Sequence, residues 1–298
     1  MRKLIVPMFM VPMLLLSIVA MSPSSVFAAS AASTTTASRH HIPHFFRKPG
    51  QIKPDANNLV YWGGPVMYGT ANVYAIFWEP TGNVQAGYNS LIQRYFNDVN
   101  GTGLYKNNTQ YHDSSGRYPS AEHLVTSWVD TSAYPESPLL DSDIQNEVSY
   151  AQAVNGWSSS THNIFFVFLE ANEDLCFDNS YSECASNYFC AYHSYFGSNT
   201  IYAAMPYAAS FSCYTGYSPN NNDADQTINV TSHEQMEAAT DPLLNAWYDY
   251  SGNEIGDKCA WIFGSINQYG GDVTWNGHTY IVQKEWDNHR GGCVLSGP

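Results

Sequence analysis

The sequence predicts a single α+β domain built on a mixed β-sheet. Short apolar runs alternate with segments whose apolar residues recur at helical spacing, and this alternation favours strands that pack against helices. The chain has 298 residues, of which 44% are hydrophobic, enough for one large core. Six cysteines in the second half of the chain add disulfide-stapled loops to this expectation.

Eight elements follow one another along the chain. The predicted strands are residues 72–78, 123–129, 164–169, 200–205 and 280–286, and the predicted helices are residues 88–99, 141–154 and 225–240. Residues 164–169 are apolar throughout, which is typical of a central strand buried on both faces. Residues 88–99 place their apolar side chains on one helical face.

The N-terminus is predicted to be a signal peptide, residues 1–28. Arg2 and Lys3 precede an apolar stretch, which ends in the small-residue pattern Val26-Phe27-Ala28. A transmembrane anchor is the alternative, and no later segment is apolar enough to cross a membrane. Residues 29–57 are interpreted as a linker or propeptide without a fold of their own, and residues 58–298 as the domain. The basic residues of this leader suggest a mask on an acidic body, with a solvated tail as the simpler alternative.

The charge balance excludes one class of partner. The chain has 12 lysines and arginines against 26 aspartates and glutamates, a formal charge of -14. A protein that tracks nucleic-acid phosphates needs the opposite sign. Together with the signal peptide, this composition predicts a secreted, monomeric protein with no membrane contact after cleavage.

The cysteines predict three disulfides in an exported protein. They are Cys176, Cys184, Cys190, Cys213, Cys259 and Cys293. Four fall within residues 176–213, which leaves Cys259 and Cys293 as the natural remaining pair. A cysteine zinc site is disfavoured because no C-x-x-C pair is present.

The helix predicted at residues 225–240 carries a candidate metal site. His233 and Glu237 are four residues apart, so they lie on one face, one turn from each other. Glu234 follows His233 directly, as the general base does in the H-E-x-x-H helix of zincins. Here Glu237 replaces the second histidine, and a carboxylate oxygen is an acceptable zinc ligand.

A third ligand is expected downstream. Glu254 and Asp257 lie 17 and 20 residues beyond Glu237, a distance at which thermolysin-type enzymes place their third ligand. We expect one of them to bind the metal and the other to orient His233. Asp241 is the remaining candidate, although Pro242 makes its direction uncertain.

Several segments together form a pattern found in a known family, namely Tyr61–Met67 (YWGGPVM), residues 72–78 (NVYAIFW), Cys190–His193, His233–Pro242 (HEQMEAATDP), Glu254–Cys259 and Cys293. They resemble the EXORDIUM-like, phosphate-induced secreted family. The H-E-x-x-E-x-x-T-D-P stretch is similar to that of bacterial members of the family. The resemblance covers residues 59–295 and implies a secreted or cell-wall-associated protein with a zincin-like core.

These observations lead to a primary expectation and two alternatives. The primary one is a zinc-dependent endopeptidase that acts on a protein or peptide substrate, with Glu234 as general base. Residues 200–205 would be the edge strand that pairs with substrate, and His193, Tyr248 and Tyr250 are candidates for oxyanion stabilisation. The alternatives are a non-catalytic cell-wall or carbohydrate-binding protein, and an acid peptidase without metal.

The sequence also contains a candidate calcium site. Residues 220–225 are rich in asparagine and aspartate, and they form a candidate calcium loop.

Overall fold

The computed structural model describes residues 43–50 and 56–298. The predicted signal peptide lies outside these residues, and so does most of the predicted leader. Within the described part of the chain, no helix combines the length and apolarity that a membrane crossing requires.

Four α-helices and fourteen strands make up the described chain. The helices are α1 (Tyr88–Val99), α2 (Gly103–Lys106), α3 (Asp141–Asn155) and α4 (Ala224–Thr240). The strands are β1 (Phe45–Arg47), β2 (Val60–Tyr61), β3 (Gly69–Trp78), β4 (Pro119–Asp130), β5 (Leu139–Leu140), β6 (Asn163–Leu169), β7 (Leu175–Cys176), β8 (Phe189–Phe196), β9 (Thr200–Met205), β10 (Trp247–Tyr248), β11 (Val273–Trp275), β12 (His278–Tyr280), β13 (Glu285–Asp287) and β14 (Gly292–Val294).

The main sheet is mixed, as the sequence predicts. Its six strands have the order β1-β8-β9-β6-β3-β4. Neighbours among β9, β6, β3 and β4 are parallel, whereas β8 is antiparallel to both β9 and β1. Every residue of β6 is buried, because helices cover both faces of the sheet there.

Helices cover the sheet on both faces. One core lies under α1 and α4 and includes Phe96, Ile228 and Met236. The other lies under α3 and includes Ile144 and Val148. All residues of α4 are buried, including its polar ones, so this helix carries charged side chains into the protein interior.

Two strand predictions are wrong. Residues 200–205 form β9 as predicted, but β9 lies between β8 and β6 and is therefore not an edge strand. Residues 280–286 are not one strand, because β12 ends at Tyr280 and β13 begins at Glu285. Between them the backbone N–H of Val282 donates to Asp272 Oδ1, and that of Gln283 to Asn229 Oδ1. These side-chain partners replace the neighbouring strand.

The expectation that residues 29–57 have no fold is wrong for part of the segment. Phe45–Arg47 form β1 and pair with β8 at the edge of the main sheet. Strand β8 itself lies in the region that the sequence assigns to cysteine-rich loops. Whether the leader is removed stays a prediction.

The three predicted disulfides are present. They join Cys176 to Cys184, Cys190 to Cys213, and Cys259 to Cys293. The last pair agrees with the sequence-based pairing and ties β14 to the turn that contains Asp257.

Removal of the Cys259–Cys293 bond by the double change Cys259→Ser/Cys293→Ser is expected to cost about 4 kcal/mol of unfolding free energy. The bond closes 34 residues, and an open loop of that length gains more unfolded-state entropy than a short one. Urea unfolding measures the loss. The matched control is Cys176→Ser/Cys184→Ser, which opens only 8 residues and should cost about 2.5 kcal/mol. An equal or larger loss in the control would contradict the entropic account.

Candidate metal centre

The C-terminal half of α4 carries His233, Glu234 and Glu237, and each of these side chains is fully buried. The helix ends at Thr240, as predicted, because Asp241 leaves the helical region (φ -146°, ψ 61°) before Pro242. The neighbouring residues that approach this helix come from β8, from the segment after β10 and from the connection between β12 and β13.

The first group of candidate ligands is His233, Glu237 and Asp257. Nε2 of His233 lies 3.0 Å from Oε1 of Glu237 and 3.8 Å from Oδ1 of Asp257. The backbone N–H of Asp257 donates to the same Glu237 oxygen at 3.0 Å. Asp257 begins the short 3₁₀ turn Asp257–Cys259, whose last residue is disulfide-bonded. The turn therefore holds Asp257 against α4.

The second group is His193, Glu237 and Glu254. Nδ1 of His193 lies 3.7 Å from Oε2 of Glu237, and Nε2 lies 3.9 Å from Oε1 of Glu254. Nε2 is also 3.2 Å from the carbonyl oxygen of Asp241, which can only accept a hydrogen bond. Nδ1 of His193 is then the ring nitrogen that faces the carboxylates of α4. Glu237 belongs to both groups and presents a different oxygen to each imidazole.

Glu234 lies on the His193 side of the cluster. Its Oε2 is 3.4 Å from Nδ1 of His193. Neither of its oxygens has a hydrogen-bond partner among the described residues. Burial raises the pKa of Glu234 above its ordinary value, because water no longer stabilises the charged carboxylate.

Opposing effects act on the charges of the cluster. Burial raises the pKa of Glu254, of Asp257 and of the neighbouring Glu285. Burial acts on Glu237 too, but the adjacent His233 and His193 outweigh it and hold the pKa of Glu237 at about 2. Desolvation opposes a charge on His193, yet Glu254 and Glu234 raise the pKa of this imidazole well above its ordinary value. The carboxylates thus favour a positive charge on the groups that lie between them.

The donor set fits a divalent cation. Buried polar atoms of the cluster that have no hydrogen-bond partner in the described chain are Nδ1 of His193, Nε2 of His233, Oε2 of Glu237 and both carboxylate oxygens of Glu234, Glu254 and Glu285. Buried polar groups are almost always paired, so such a concentration requires an explanation. Imidazole nitrogens with carboxylate oxygens are ligands of zinc.

Asp241 belongs to neither group. Its Oδ1 accepts the backbone N–H groups of Asn245 at 2.6 Å and Ala246 at 2.7 Å. The side chain therefore stabilises the turn after α4, while its carbonyl contacts His193. Burial raises the pKa of Asp241 to about 7.

The structure does not bring the two predicted tyrosines into the buried cluster. Tyr250 is 77% exposed and contacts Trp62 edge to face. Tyr248 stacks on the same tryptophan, and the ring centroids of Tyr248 and Trp62 are 5.2 Å apart. Their predicted role in oxyanion stabilisation stays a prediction.

In the candidate calcium loop, the Asp225 carboxylate accepts hydrogen bonds from nearby residues. Oδ2 of Asp225 accepts from Ser218 Oγ at 2.7 Å and from the Asn220 N–H at 2.9 Å. Oδ1 accepts from Nδ2 of Asn220 at 2.6 Å. Asp225 thereby orders the loop at the start of α4, and calcium binding there stays a prediction.

Two contacts of His233 are absent from the sequence-based site. Nε2 of Gln283 lies 3.0 Å from Nδ1 of His233 and donates to the Gly256 carbonyl at 2.9 Å. The ring of Phe46 stacks on the imidazole, with centroids 3.8 Å apart. No spacing rule connects these residues with α4, although two adjacent phenylalanines in a basic, polar leader are themselves an unusual feature.

The chain is similar to a plant protein over most of its length. It is 25% identical over 293 residues to Protein EXORDIUM-like 5 of Arabidopsis thaliana. The alignment covers 82% of this chain and 79% of that protein. No family model matches the chain, and no solved structure matches it. The similarity supports the EXORDIUM-like resemblance of the sequence.

The pKa of Asp241 gives a prediction about stability. An acid whose pKa is raised on folding stabilises the native state below its unfolded pKa, and this contribution is lost as the pH rises to about 7. Asp241→Asn keeps the Oδ1 acceptor and cannot ionise. With a chelator present, the unfolding free energy of Asp241→Asn relative to that of wild type should therefore increase by roughly 2–4 kcal/mol as the pH rises from 4 to 8.

Asp241→Ala is the control for this experiment. It removes both accepted hydrogen bonds and should be less stable than Asp241→Asn by about 1–3 kcal/mol at each pH. Urea unfolding at pH 4 and pH 8 gives both differences. A stability difference between wild type and Asp241→Asn that does not change with pH would contradict the assignment.

Proposed function

We propose that the chain is a secreted zinc-dependent endopeptidase with a zincin-like core. The observation that carries the proposal is the position of Glu237, whose two carboxylate oxygens face two different buried imidazoles. Candidate ligand atoms that have no hydrogen-bond partner among the described residues surround it, and Glu234 lies three residues before it on the same helix.

The ligands proposed for zinc are Glu237 together with the residues of its two groups. His233 and Asp257 form one side, and His193 and Glu254 form the other. Each imidazole turns one nitrogen toward Glu237. The other nitrogen of His193 contacts the Asp241 carbonyl, an arrangement typical of metal-binding histidines, whereas that of His233 contacts the side-chain amide of Gln283. When bound, zinc lowers the pKa of a water molecule and polarises a peptide carbonyl.

Glu234 is proposed as the general base. Its buried carboxylate has two oxygens without partners in the described chain, so it is available to accept a proton from the attacking water. The same group then holds the proton and delivers it to the amine nitrogen that leaves. Burial supports this role because a raised pKa brings the carboxyl closer to the pH at which proton exchange is efficient.

One observation favours the non-catalytic alternative, a carbohydrate-binding protein. Trp62, Tyr248 and Tyr250 form an aromatic surface in which Trp62 is 43% exposed and Tyr250 is 77% exposed. Aromatic faces of this kind stack on sugar rings. Binding of the purified chain to insoluble cell-wall polysaccharide, measured beside its metal content, distinguishes this alternative from the peptidase.

Glu234→Gln is expected to lower peptide hydrolysis by 10²- to 10⁴-fold, because the amide cannot take up the proton. Bound zinc should be unchanged, since Glu237, His233 and Asp257 remain. Hydrolysis of a quenched fluorescent peptide library and elemental analysis measure the two quantities. The control is Glu147→Gln, the same change at a buried position of α3, which should leave hydrolysis intact. Unchanged proteolysis in Glu234→Gln would refute the base assignment.

Glu237→Gln is expected to weaken zinc binding by at least tenfold, because the amide replaces a charged ligand shared by both groups. In wild type, zinc should bind more tightly as the pH rises, since the carboxylates raise the pKa of His193 and its proton must leave. Calorimetric titration with zinc at pH 6 and pH 8 tests both statements. Glu147→Gln is the matched control, a buried glutamate of α3 outside both groups. Equal zinc affinity in Glu237→Gln and wild type would overturn the proposed centre.

A further inference from the structure

Residues 43–48 lie directly over the candidate metal centre. Strand β1 extends the main sheet beyond β8, with Phe45 opposite Tyr192 and Phe46 opposite Ala191. Without β1, β8 would be the outer strand at this side of the described sheet. β8 also carries His193, so the segment covers a strand that belongs to the centre.

Two side chains of the segment reach the centre itself. Phe46 is fully buried, and its ring lies nearly parallel to His233 (3.8 Å, 12°) and to Trp261 (4.7 Å, 18°). Nδ1 of His44 lies 3.8 Å from Oδ2 of Asp257. Residues i and i+2 of an extended chain share a face, so His44 and Phe46 both point toward α4. The segment thereby contacts two of the proposed ligands.

Phe45 points the other way. Its ring packs against Phe177, Phe189 and Tyr192, in the core on the α3 side of the sheet. Phe45 and Phe46 therefore make separate contributions, one to the far core and one to the centre. This alternation provides a matched pair of positions for an experiment.

Main-chain and basic contacts hold the rest of the segment. Trp261 Nε1 donates to the carbonyl of Arg47 at 2.8 Å, and the Arg47 guanidinium lies 3.6 Å from the ring centre of Tyr188. Nζ of Lys48 donates to the carbonyl of Phe211. Strand pairing with alternating side-chain contacts is the usual mode by which proteins bind extended peptides.

We infer that the outer edge of β8 and the slot between His233 and Trp261 form a peptide-binding groove, which residues 43–48 occupy as an intramolecular ligand. The ligand class is an extended peptide with an aromatic residue at the position of Phe46, followed by basic residues. The polar contacts agree with this assignment, since His44 approaches the Asp257 carboxylate, Arg47 lies over the Tyr188 ring and Lys48 donates to the Phe211 carbonyl. Cleavage of such a peptide rests on the proposed peptidase function, whereas its binding does not.

The test uses a fluorescent peptide with the sequence of residues 42–49 and the full chain carrying Phe46→Ala. The variant weakens the chain's own segment, so the peptide should bind it at least tenfold more tightly than it binds wild type. The same peptide carrying F46A should bind at least tenfold more weakly, because it lacks the ring that enters the slot. Fluorescence anisotropy measures each affinity.

Three controls complete the test. Phe45→Ala removes the ring on the opposite face and leaves Phe46 in the slot, so it should raise peptide affinity less than Phe46→Ala does. Circular dichroism verifies that each variant folds. Phe46→Leu keeps most of the buried volume and replaces Phe46→Ala if the latter does not fold, with an increase in peptide affinity again expected.

The outcomes separate the groove from the peptidase. Absence of peptide binding to a folded Phe46 variant, or equal binding of the two peptides, overturns the groove. Tight binding that depends on the phenylalanine supports it. Binding of this kind without cleavage of any peptide in the presence of zinc leaves the groove intact and counts against the proposed peptidase.

Discussion

The structure depends on the removal from water of several carboxylates around one turn of α4. Glu234, Glu237 and Glu254 are fully buried, and an uncompensated buried charge is costly. The buried Lys258 ammonium pairs with Asp249 at 3.0 Å and lies over the Trp286 ring. Its positive charge therefore compensates Asp249. The compensating charge near Glu237 must then come from the imidazoles or from a bound cation. This requirement explains why two histidines from distant segments converge there.

The fold supplies these groups from rigid elements. His193 lies on β8, which the sheet holds antiparallel to β9, and α4 packs across the same face. Asp257 lies in a 3₁₀ turn beside a disulfide, and the Gly256 just before it leaves room for the ring of His233. A Cβ on Gly256 would lie 2.6 Å from Nδ1 of that ring, so only glycine allows the close approach. Positions fixed in this way hold the donor atoms close to one another.

The sequence predicted the local features better than the long-range ones. The helix with His233 and Glu237 follows from spacing, and its end follows from Pro242, because both depend on neighbouring residues. The position of β9 inside the sheet depends on which distant strands pair with it, and the sequence of its own six residues does not determine those partners. For the same reason the contacts of Gln283 and Phe46 with His233 were not foreseen. The downstream acids were foreseen as a pair, but not that Asp257 approaches one imidazole and Glu254 the other.

The exchange of the second histidine for Glu237 has a geometric consequence. An imidazole at that position could present one nitrogen to a cluster, since its other nitrogen points away across the ring. The carboxylate presents two oxygens, and here Oε1 lies 3.0 Å from His233 while Oε2 lies 3.7 Å from His193. A glutamate can therefore join two groups of ligands that a histidine would leave separate. The departure from H-E-x-x-H and the convergence of His193 on α4 are then two parts of one arrangement, because the second oxygen of Glu237 requires a partner on the β8 side.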